Sequence, residues 1–512
     1  MIGSSQLRRA GTAGLGALAA VLVALGGFAP TPAHAAPGGS PRGHAGGHWH
    51  FDGTATTVTD LARVIGADRL WRAGVTGAGV GVALVDTGVV PVPGLRADHV
   101  ANGPDLSLDN GNSDARYLDT YGHGTHLAGI IGGSGDGFRG VAPGATITSV
   151  KVGAFDGAVD VSQVIAGLDW VVAHRADDPN RPIRVVNLSF GTDGVQDSRV
   201  DPLTHAVENA WRAGIVVVVA AGNGGTGGWL ANPGYDPYVL AVGAADTHGT
   251  VGTGDDTVTD FSSRGDAARR PDLVAPGMSI VSLRDPGSYV DENNPTARVG
   301  DRYFKGSGTS QAAAVVSGAV SLLLSARPEL TPDQVKAALT RGAARLPGSD
   351  AGQGAGELDL ARALLTPVGF AQTRGATQTW APSTGTGSLE AARGSAHLVL
   401  GGDVLSGEFD LWGSFDASAW ARASSAGTAW VGGTWMGHQL AGSAWTGTSW
   451  AGRTWAMVTW PGQTWSGVSW SGLHWSGVSW SGHYWSGLHW SGLHWSGLYW
   501  SGLHWSDQSW AG

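Results

Sequence analysis

Three side chains in this sequence could together carry out acyl transfer. Asp86 ends the apolar run VGVALVD, His123 lies in GHGTH before an apolar stretch, and Ser310 follows Gly-Ser-Gly-Thr at the start of a helical run. A nucleophilic serine needs a base to take its proton, and a carboxylate can orient that base. Each residue alone also has a structural explanation, as a turn residue, a packed histidine and an N-cap. The combination predicts a catalytic site.

Polar side chains also follow two further apolar runs. VVNLSFG carries Asn187 and Ser189, and IVVVVAAGNGG ends at Asn223. In open α/β sheets, ligands bind outside the carboxyl ends of the strands. We therefore expect these side chains to gather in one crevice with the first three.

The segment that carries these residues reads as alternating strands and helices. Its β-branched runs, such as GIVVVVAAG, are continuously apolar, which is typical of parallel strands covered on both faces. Amphipathic stretches such as VSQVIAGLDWVVAHR lie between them. The pattern predicts an α/β domain with a doubly wound, mostly parallel sheet over residues 64–346.

Eight motifs of this segment resemble, in order, the signatures of the subtilases, the subtilisin-like serine endopeptidases. They are VALVDTGV, GHGTHLAG, GVAPGA, VVNLSFG, VVAAGN, FSSRG, LVAPG and GTSQAAAVVSG. The chain order of Asp, His and Ser is also that of the family. The resemblance implies that Asp86, His123 and Ser310 form the catalytic triad. It also implies that Asn223 supplies the side chain of the oxyanion hole.

The same resemblance implies which residues contact substrate. Ser189, Phe190 and Gly191 are expected to pair with the substrate backbone as an added strand. The primary pocket is expected to be lined by Ala220, Ala221, Gly222 and Ala231. These small apolar residues predict a preference for apolar or aromatic side chains before the cut.

Some positions depart from the family pattern. Where the family usually has Gly-Thr-Ser-Met-Ala-Ala-Pro-His, this chain has Gln311, Ala314 and Val315, which we expect to affect helix packing more than chemistry. The loop from Gly132 to Gly140 looks short beside calcium-binding members. The short loop makes a structural calcium ion at this position doubtful, although one is possible. No other cofactor is expected.

The N-terminus has the features of a signal peptide. Arg8 and Arg9 precede an apolar stretch, and Ala33-His34-Ala35 forms an A-x-A cleavage site. The apolar stretch is short and broken by glycine for a transmembrane anchor. We expect residues 1–35 to direct secretion, with the Sec and Tat routes both open. Residues 36–63 then read as flexible and as too short for the folded inhibitory propeptide of many subtilases.

The composition excludes several classes of function. None of the 512 residues is cysteine, which rules out disulfides and thiolate catalysis. The net charge is −10 and the arginines are scattered, so no nucleic-acid partner is expected. The expected partners are protein or peptide substrates, with no integral membrane span after signal removal.

The C-terminal part has a different composition. Residues 347–419 are rich in Gly, Ala, Ser and Thr and read as a linker, whereas residues 420–512 carry tryptophans at five-residue spacing. A period of five fits neither a strand face nor a helix face, so we expect a turn-rich, β-type solenoid. Such a module should be dispensable for peptide hydrolysis, even after truncation near Pro367. The alternative is that exposed Trp faces bind a glycan or another cell-wall polymer.

Two other functions fit parts of the sequence. His123 and His126 could begin a zinc site, but zinc hydrolases need a third ligand and a base, and the chain has no HExxH motif. The chain could also be an inert, protease-like binding protein that acts through its Trp-rich tail. An inert copy is expected to have lost a triad residue or Asn223, and none is lost. Peptide hydrolysis is therefore the function that we expect.

Overall fold

The computed structural model describes most of the chain between residues 56 and 439. The described residues are 56–111, 115–135, 137–368, 377–395, 397–400, 403–439 and two short strands at 474–475 and 478–479. The expected signal peptide and most of the expected Trp-rich solenoid lie outside these residues.

Strands and helices alternate through the first part of the chain, as expected. The strands are β1 (Thr56–Thr57), β2 (Gly81–Asp86), β3 (Val100–Asp105), β4 (Ser134–Gly135), β5 (Phe138–Arg139), β6 (Thr146–Lys151), β7 (Ile183–Leu188), β8 (Val216–Ala220), β9 (Leu240–Asp246), β10 (Thr257–Val258), β11 (Leu273–Pro276), β12 (Ile280–Leu283), β13 (Arg298–Val299), β14 (Tyr303–Gly306), β15 (Val399–Leu400), β16 (Asp403–Val404), β17 (Phe409–Asp410), β18 (Gly413–Ser414), β19 (Trp430–Val431), β20 (Thr434–Trp435), β21 (His438–Gln439), β22 (His474–Trp475) and β23 (Val478–Ser479). The α-helices are α1 (Val58–Val64), α2 (Ala67–Arg72), α3 (His123–Gly132), α4 (Val161–His174), α5 (Pro202–Arg212), α6 (Tyr289–Asn293), α7 (Thr309–Ala326), α8 (Pro332–Gly342), α9 (Leu360–Leu365), α10 (Leu389–Arg393) and α11 (Ala417–Ser425).

The central sheet is mostly parallel. Its strand order is β10-β9-β8-β7-β2-β6-β3, with β11 also paired to β9, and only β10 runs antiparallel to its neighbour. β2 lies where the strand order reverses, with β6 on one side and β7 on the other. Ligands of open α/β sheets bind at such a reversal, outside the carboxyl ends of the strands. The sheet confirms the predicted fold class and places Asp86, the last residue of β2, at this point.

Helices cover both faces of the sheet. α3 packs on α7, α4 packs on α5, and α7 lies across β7, β8 and β9. The residues of β2 and β8 are buried throughout, which explains their continuously apolar sequences. Among the described helices, α7 alone is long and apolar enough to cross a membrane, but 89% of that stretch is buried inside the protein. α7 is therefore a core helix.

Side chains at the helix starts explain where several helices begin. Asp160 before α4 and Thr331 before α8 each form a capping box, in which the third helical residue, a glutamine, bonds back to the cap. Asp201 caps α5, and Pro202 occupies its first position, where no N–H is needed. These residues satisfy backbone groups that a helix start leaves without partners.

Residues 56–63, which fall within the segment expected to be flexible, form a short strand and most of a helix. β1 pairs with β12 at the edge of a second sheet of order β1-β12-β14-β13. α1 buries Val58, Leu61 and Ala62 against the core, and Thr57 caps it. The Gly-, Pro- and His-rich composition that suggested flexibility ends before these residues.

The chain also continues to pack on the sheet domain beyond residue 346. Glu357 bridges to Ala344 and to Val274, and α9 packs on α8. The expected linker at 347–419 contains α9, α10 and the start of α11, and α10 packs on both α4 and α5. Some of its small polar residues are helix caps, such as Ser388 before α10. Composition alone does not distinguish such caps from the residues of a linker.

The first tryptophans of the tail are core residues of the described fold. Trp420 and Trp435 are fully buried, and their indole N–H groups donate to Oδ2 of Asp169 at 2.8 and 2.9 Å. Burial raises the pKa of Asp169, while these donors favour its charged form. Truncation near Pro367 would therefore remove part of the core. A chain that ends after Gln439 lacks only the remaining repeats, so it is the chain that tests whether they are dispensable for peptide hydrolysis.

Candidate active site

Asp86 and His123 form a buried pair at the carboxyl end of β2. Nδ1 of His123 lies 2.6 Å from Oδ1 of Asp86, and both side chains are fully buried. The same carboxylate oxygen accepts the backbone N–H of Thr87 at 2.8 Å. An imidazole held at Nδ1 in this way presents Nε2 as the basic atom. The structure thus brings two of the three expected triad residues into contact.

His123 is the first residue of α3, and groups around the helix start fix its position. Asp119 accepts the backbone N–H groups of Gly122 and Thr125, both at 2.7 Å, and the hydroxyl of Thr87 at 2.8 Å. Burial raises the pKa of Asp119, while these hydrogen bonds favour its charged form. Asp119 was not predicted, since its only signal in the sequence is an acidic residue shortly before GHGTH.

Close packing explains the glycine that follows His123. A Cβ atom on Gly124 would lie 2.1 Å from the carbonyl oxygen of Gly88 and 3.2 Å from Oδ1 of Asp86. No side chain fits at the first of these distances. Gly124 therefore allows α3 to approach the end of β2 closely enough for the hydrogen bond between His123 and Asp86.

A buried lysine supports the same region. Nζ of Lys151, whose side chain is 1% exposed, donates to the carbonyl oxygens of Leu118 at 2.7 Å and Thr87 at 3.0 Å and lies 2.9 Å from Oδ2 of Asp109. Burial raises the pKa of nearby Asp105 to about 6, against the opposing charge of Lys151. This lysine was not predicted, because in the sequence it is simply the last residue of an apolar strand.

Ser310 lies in the first turn of α7, next to the carboxyl end of β7. Its backbone carbonyl accepts the hydroxyl of Ser189 at 3.4 Å, and that hydroxyl accepts from Nδ2 of Asn187 at 3.0 Å. Asn187 also accepts the hydroxyl of Ser317 at 2.9 Å, so two points of α7 are tied to β7. Oγ of Ser310 is buried and has no hydrogen-bond partner among the described residues. Catalytic hydrogen bonds often form fully only with substrate bound.

Asn223, Gly308 and the backbone N–H of Ser310 border one small volume. Oδ1 of Asn223 accepts the backbone N–H of Thr309 at 3.0 Å and its hydroxyl at 2.9 Å, so Nδ2 is the opposite, donating end. A methyl group placed on Gly308 would lie 3.5 Å from this Nδ2 and 3.8 Å from the nitrogen of Ser310. Two N–H donors at one volume beside a nucleophile can stabilise an oxyanion.

Gln311 borders the same volume. Its Oε1 lies 2.7 Å from the methyl position on Gly308. The side chain is fully buried, and neither amide atom has a hydrogen-bond partner among the described residues. Ala314 and Val315 are buried in α7, in keeping with a packing role. The side-chain oxygen of Gln311 instead lies beside Gly308, at the volume that Asn223 and the N–H of Ser310 also border.

Backbone hydrogen bonds join the segments that carry the residues expected to contact substrate. Thr192 and Asn232 exchange two backbone hydrogen bonds of 2.9 Å, and the N–H of Ala231 donates to the carbonyl of Ala221 at 3.2 Å. These bonds join the loop after β7, the end of β8 and the loop at Ala231. All the expected substrate-contacting residues are buried: Ser189, Phe190, Gly191, Ala220, Ala221, Gly222 and Ala231.

His126 lies one turn further along α3 than His123. Burial, together with the nearby imidazole of His123, lowers the pKa of His126 to about 3, so its ring is neutral at neutral pH. Within the described part of the chain, no group of three or more His, Asp or Glu side chains could hold a metal ion. The zinc alternative thus has no third ligand among these residues.

Comparisons with known proteins cover the same region. The profile of the subtilase family matches residues 77–356. Serine protease AprX of Bacillus subtilis is 42% identical over 277 residues, which are 52% of this chain and 62% of AprX. The minor extracellular protease Epr of the same species is 32% identical over 52% of this chain and 35% of Epr. Subtilisin DY of Bacillus licheniformis is 32% identical over 57% of this chain and 93% of the relative. The chain therefore spans less than two thirds of AprX and Epr.

Proposed function

This chain belongs to the subtilase family, and from that membership we propose that it is a serine endopeptidase. The observation that carries the proposal is the buried hydrogen bond of 2.6 Å between His123 and Asp86. Its further support is that α3, which begins with His123, packs on α7, which carries Ser310 in its first turn. A purely structural histidine would not need such a set of groups around it.

The proposed reaction proceeds through an acyl-enzyme. Nε2 of His123 takes the proton of the Ser310 hydroxyl as its oxygen attacks the scissile carbonyl carbon, and Asp86 stabilises the imidazolium. Nδ2 of Asn223 and the N–H of Ser310 hold the oxyanion. His123 then gives its proton to the leaving amine as the C–N bond breaks. A water molecule then attacks the ester carbonyl while His123 again acts as the base. This step releases the carboxylic acid and restores the Ser310 hydroxyl.

We propose that the primary pocket accepts apolar or aromatic side chains before the cut. Its support is the burial of small residues where three loops meet, at Ala220, Ala221 and Ala231. These residues carry no charge that would bind an Arg or Lys side chain.

The rival proposal is an inert binding protein that acts through the tail. The triad residues, Asn223 and the capping of α3 by Asp119 all support catalysis instead. An inert copy has no need of a fully buried carboxylate hydrogen-bonded to an imidazole, because burying such polar groups is costly.

Secretion and wall attachment are proposals about residues outside the described part. The charged, apolar and A-x-A regions of residues 1–35 support secretion. We propose that the repeats after Gln439 contact a glycan or another cell-wall polymer through their Trp faces. Purified wall material should sediment the full-length chain and should not sediment a chain that ends after Gln439. Equal sedimentation of both chains would reject this attachment.

Cleavage mapping tests the proposed function. The full-length protein is incubated with a mixed peptide library, and the new termini are identified by mass spectrometry. We expect internal cuts after apolar or aromatic residues. An absence of internal cuts, together with intact fold, would reject the endopeptidase.

A further inference from the structure

Two loops leave the carboxyl edge of the sheet on either side of the catalytic residues. The loop 152–160 follows β6, and its first two N–H groups donate to the carbonyl of Asp86 at 2.8 and 3.2 Å. The loop 189–201 follows β7 and begins with Ser189, which donates to the carbonyl of Ser310. Under the proposed function, an extended substrate lies in the cleft between these loops. The width of that cleft depends on what holds the loops in place.

The last residue of α10 holds the first loop. Nε of Arg393 lies 2.6 Å from Oδ2 of Asp160, the final residue of the loop, and both side chains are buried. Nη1 of Arg393 donates to the carbonyl of Gly407 at 2.7 Å, and Nη2 donates to the carbonyl of Phe409. Arg393 thus joins the loop to a distant backbone segment through charge-assisted hydrogen bonds, which fix geometry well.

The same short helix holds the second loop. The hydroxyl of Thr192 donates to the carbonyl of Ala392 at 2.5 Å, directly after the expected strand-pairing residue Gly191. Further along, the amide of Gln196 donates to the carbonyl of Ser388 at 2.8 Å and accepts its N–H at 3.1 Å. α10 therefore contacts both walls of the cleft.

Apolar packing adds to these polar contacts. Ala158 in the first loop is fully buried against Leu398, and the partly buried Leu405 and Leu411 pack around them. The loop 152–160 is thus covered by the C-terminal segment on its apolar side as well. This cover lies outside the region 77–356 that matches the family profile.

We infer that α10, Leu398 and residues 405–411 form a clamp that sets the distance between the two loops. Arg393 is the positioning residue of this clamp. The inference rests on the proposed function and adds to it a determinant of substrate length. The clamp favours extended peptides that fill the cleft, and it has little effect on substrates that contact only Ser310 and the primary pocket.

Paired substrates test the clamp in the full-length chain. Arg393→Met should lower kcat/KM for an extended peptide about ten- to a hundredfold, mainly through KM, because small misplacements of substrate-positioning groups have effects of this size. Hydrolysis of a single-residue nitrophenyl ester should change by about twofold or less. Arg72→Met is the matched control, since its exposed side chain pairs with Asp68 within α2, away from both loops. It should leave both rates unchanged.

A second variant keeps the test decisive if Arg393→Met does not fold. Arg393→Met combined with Asp160→Asn removes both charges, so no unpaired charge stays buried. The folded double variant should show the same selective loss on the extended peptide. An unchanged extended-peptide rate would overturn the clamp, as would equal losses on both substrates.

Hydrogen exchange separates failure of the clamp from failure of the proposed function. In Arg393→Met or the double variant, backbone exchange should rise in 152–160 and 189–201 and stay unchanged in α8. A wild-type chain that hydrolyses neither substrate would reject the proposed function, while the exchange result would still decide the clamp. Unchanged exchange in both loops would overturn it.

Discussion

Oδ1 of Asn223 accepts two hydrogen bonds from Thr309, from its backbone nitrogen at 3.0 Å and from its hydroxyl at 2.9 Å. Both donors fix the orientation of the Asn223 amide, because only its oxygen can accept them. Nδ2 is thereby directed to the volume beside Gly308 that the N–H of Ser310 also borders. Thr309, the residue before the proposed nucleophile, thus orients one of the two donors proposed for the oxyanion.

Asn223→Ala should lower kcat about a hundred- to a thousandfold, the range found for an oxyanion-hole donor in subtilisin, with little change in KM. The donor acts on charge that develops in the transition state, so substrate binding is spared. Thr309→Val, which keeps the amide but removes one orienting bond, should cause a smaller loss in kcat. Steady-state kinetics on one peptide measures both. A loss confined to KM would contradict the assignment of Asn223.

Ala231→Val should narrow the primary pocket. We expect kcat/KM for a peptide with Phe before the cut to fall about tenfold relative to the same peptide with Ala, since Val adds two carbons and even one extra methylene group in an apolar pocket has effects of this order. Ala423→Val, on the partly buried face of α11, is the control and should keep the wild-type ratio. An unchanged ratio in Ala231→Val, or wild-type cleavage only after Arg and Lys, would show that the pocket is elsewhere.

Trp420→Ala should destabilise the fold by about 3–5 kcal/mol, the usual cost of truncating a fully buried tryptophan. Trp380→Ala is the matched control, because that side chain is 57% exposed, and it should change stability by about 0.5 kcal/mol or less. Urea unfolding of both variants measures the difference. Equal stabilities would contradict the packing of the first tail tryptophans in the core.

His126 should make the protein less stable as pH falls. Burial lowers the pKa of His126 from 6.5 to about 3. Below pH 6.5 its imidazole therefore binds a proton in the unfolded chain, whereas in the folded chain it binds one only at about pH 3. The contribution to stability is complete above pH 6.5 and is about 3 kcal/mol smaller at about pH 4.5. Between neutral pH and about pH 4.5, the free energy of unfolding of His126→Gln should fall by about 3 kcal/mol less than that of the wild type. His248→Gln, at a partly exposed site, should follow the wild type, and identical curves for all three proteins would refute this role of His126.

The sequence carries motifs for the residues proposed to act in catalysis but not for the residues that support them. Asp86, His123 and Ser310 lie in motifs whose glycines and strand or helix ends are visible in one dimension. The partners of Lys151 and Arg393 are brought close by the order of the strands and by the packing of α10 on α4 and α5. No local sequence pattern therefore predicts these two residues. Trp420 and Trp435 were misassigned to the tail because spacing alone does not distinguish a buried tryptophan from a repeated one.

The rate of casein hydrolysis by Ser310→Ala tests the central claim most directly. The nucleophile has no substitute in the site, so we expect a loss of about a millionfold, the size measured for subtilisin, which leaves no detectable hydrolysis. Ser321→Ala is the control on the same helix, because its hydroxyl donates only to the carbonyl of Ser317 at 2.8 Å, and it should retain the wild-type rate. Hydrolysis of casein by Ser310→Ala at the wild-type rate would contradict the account.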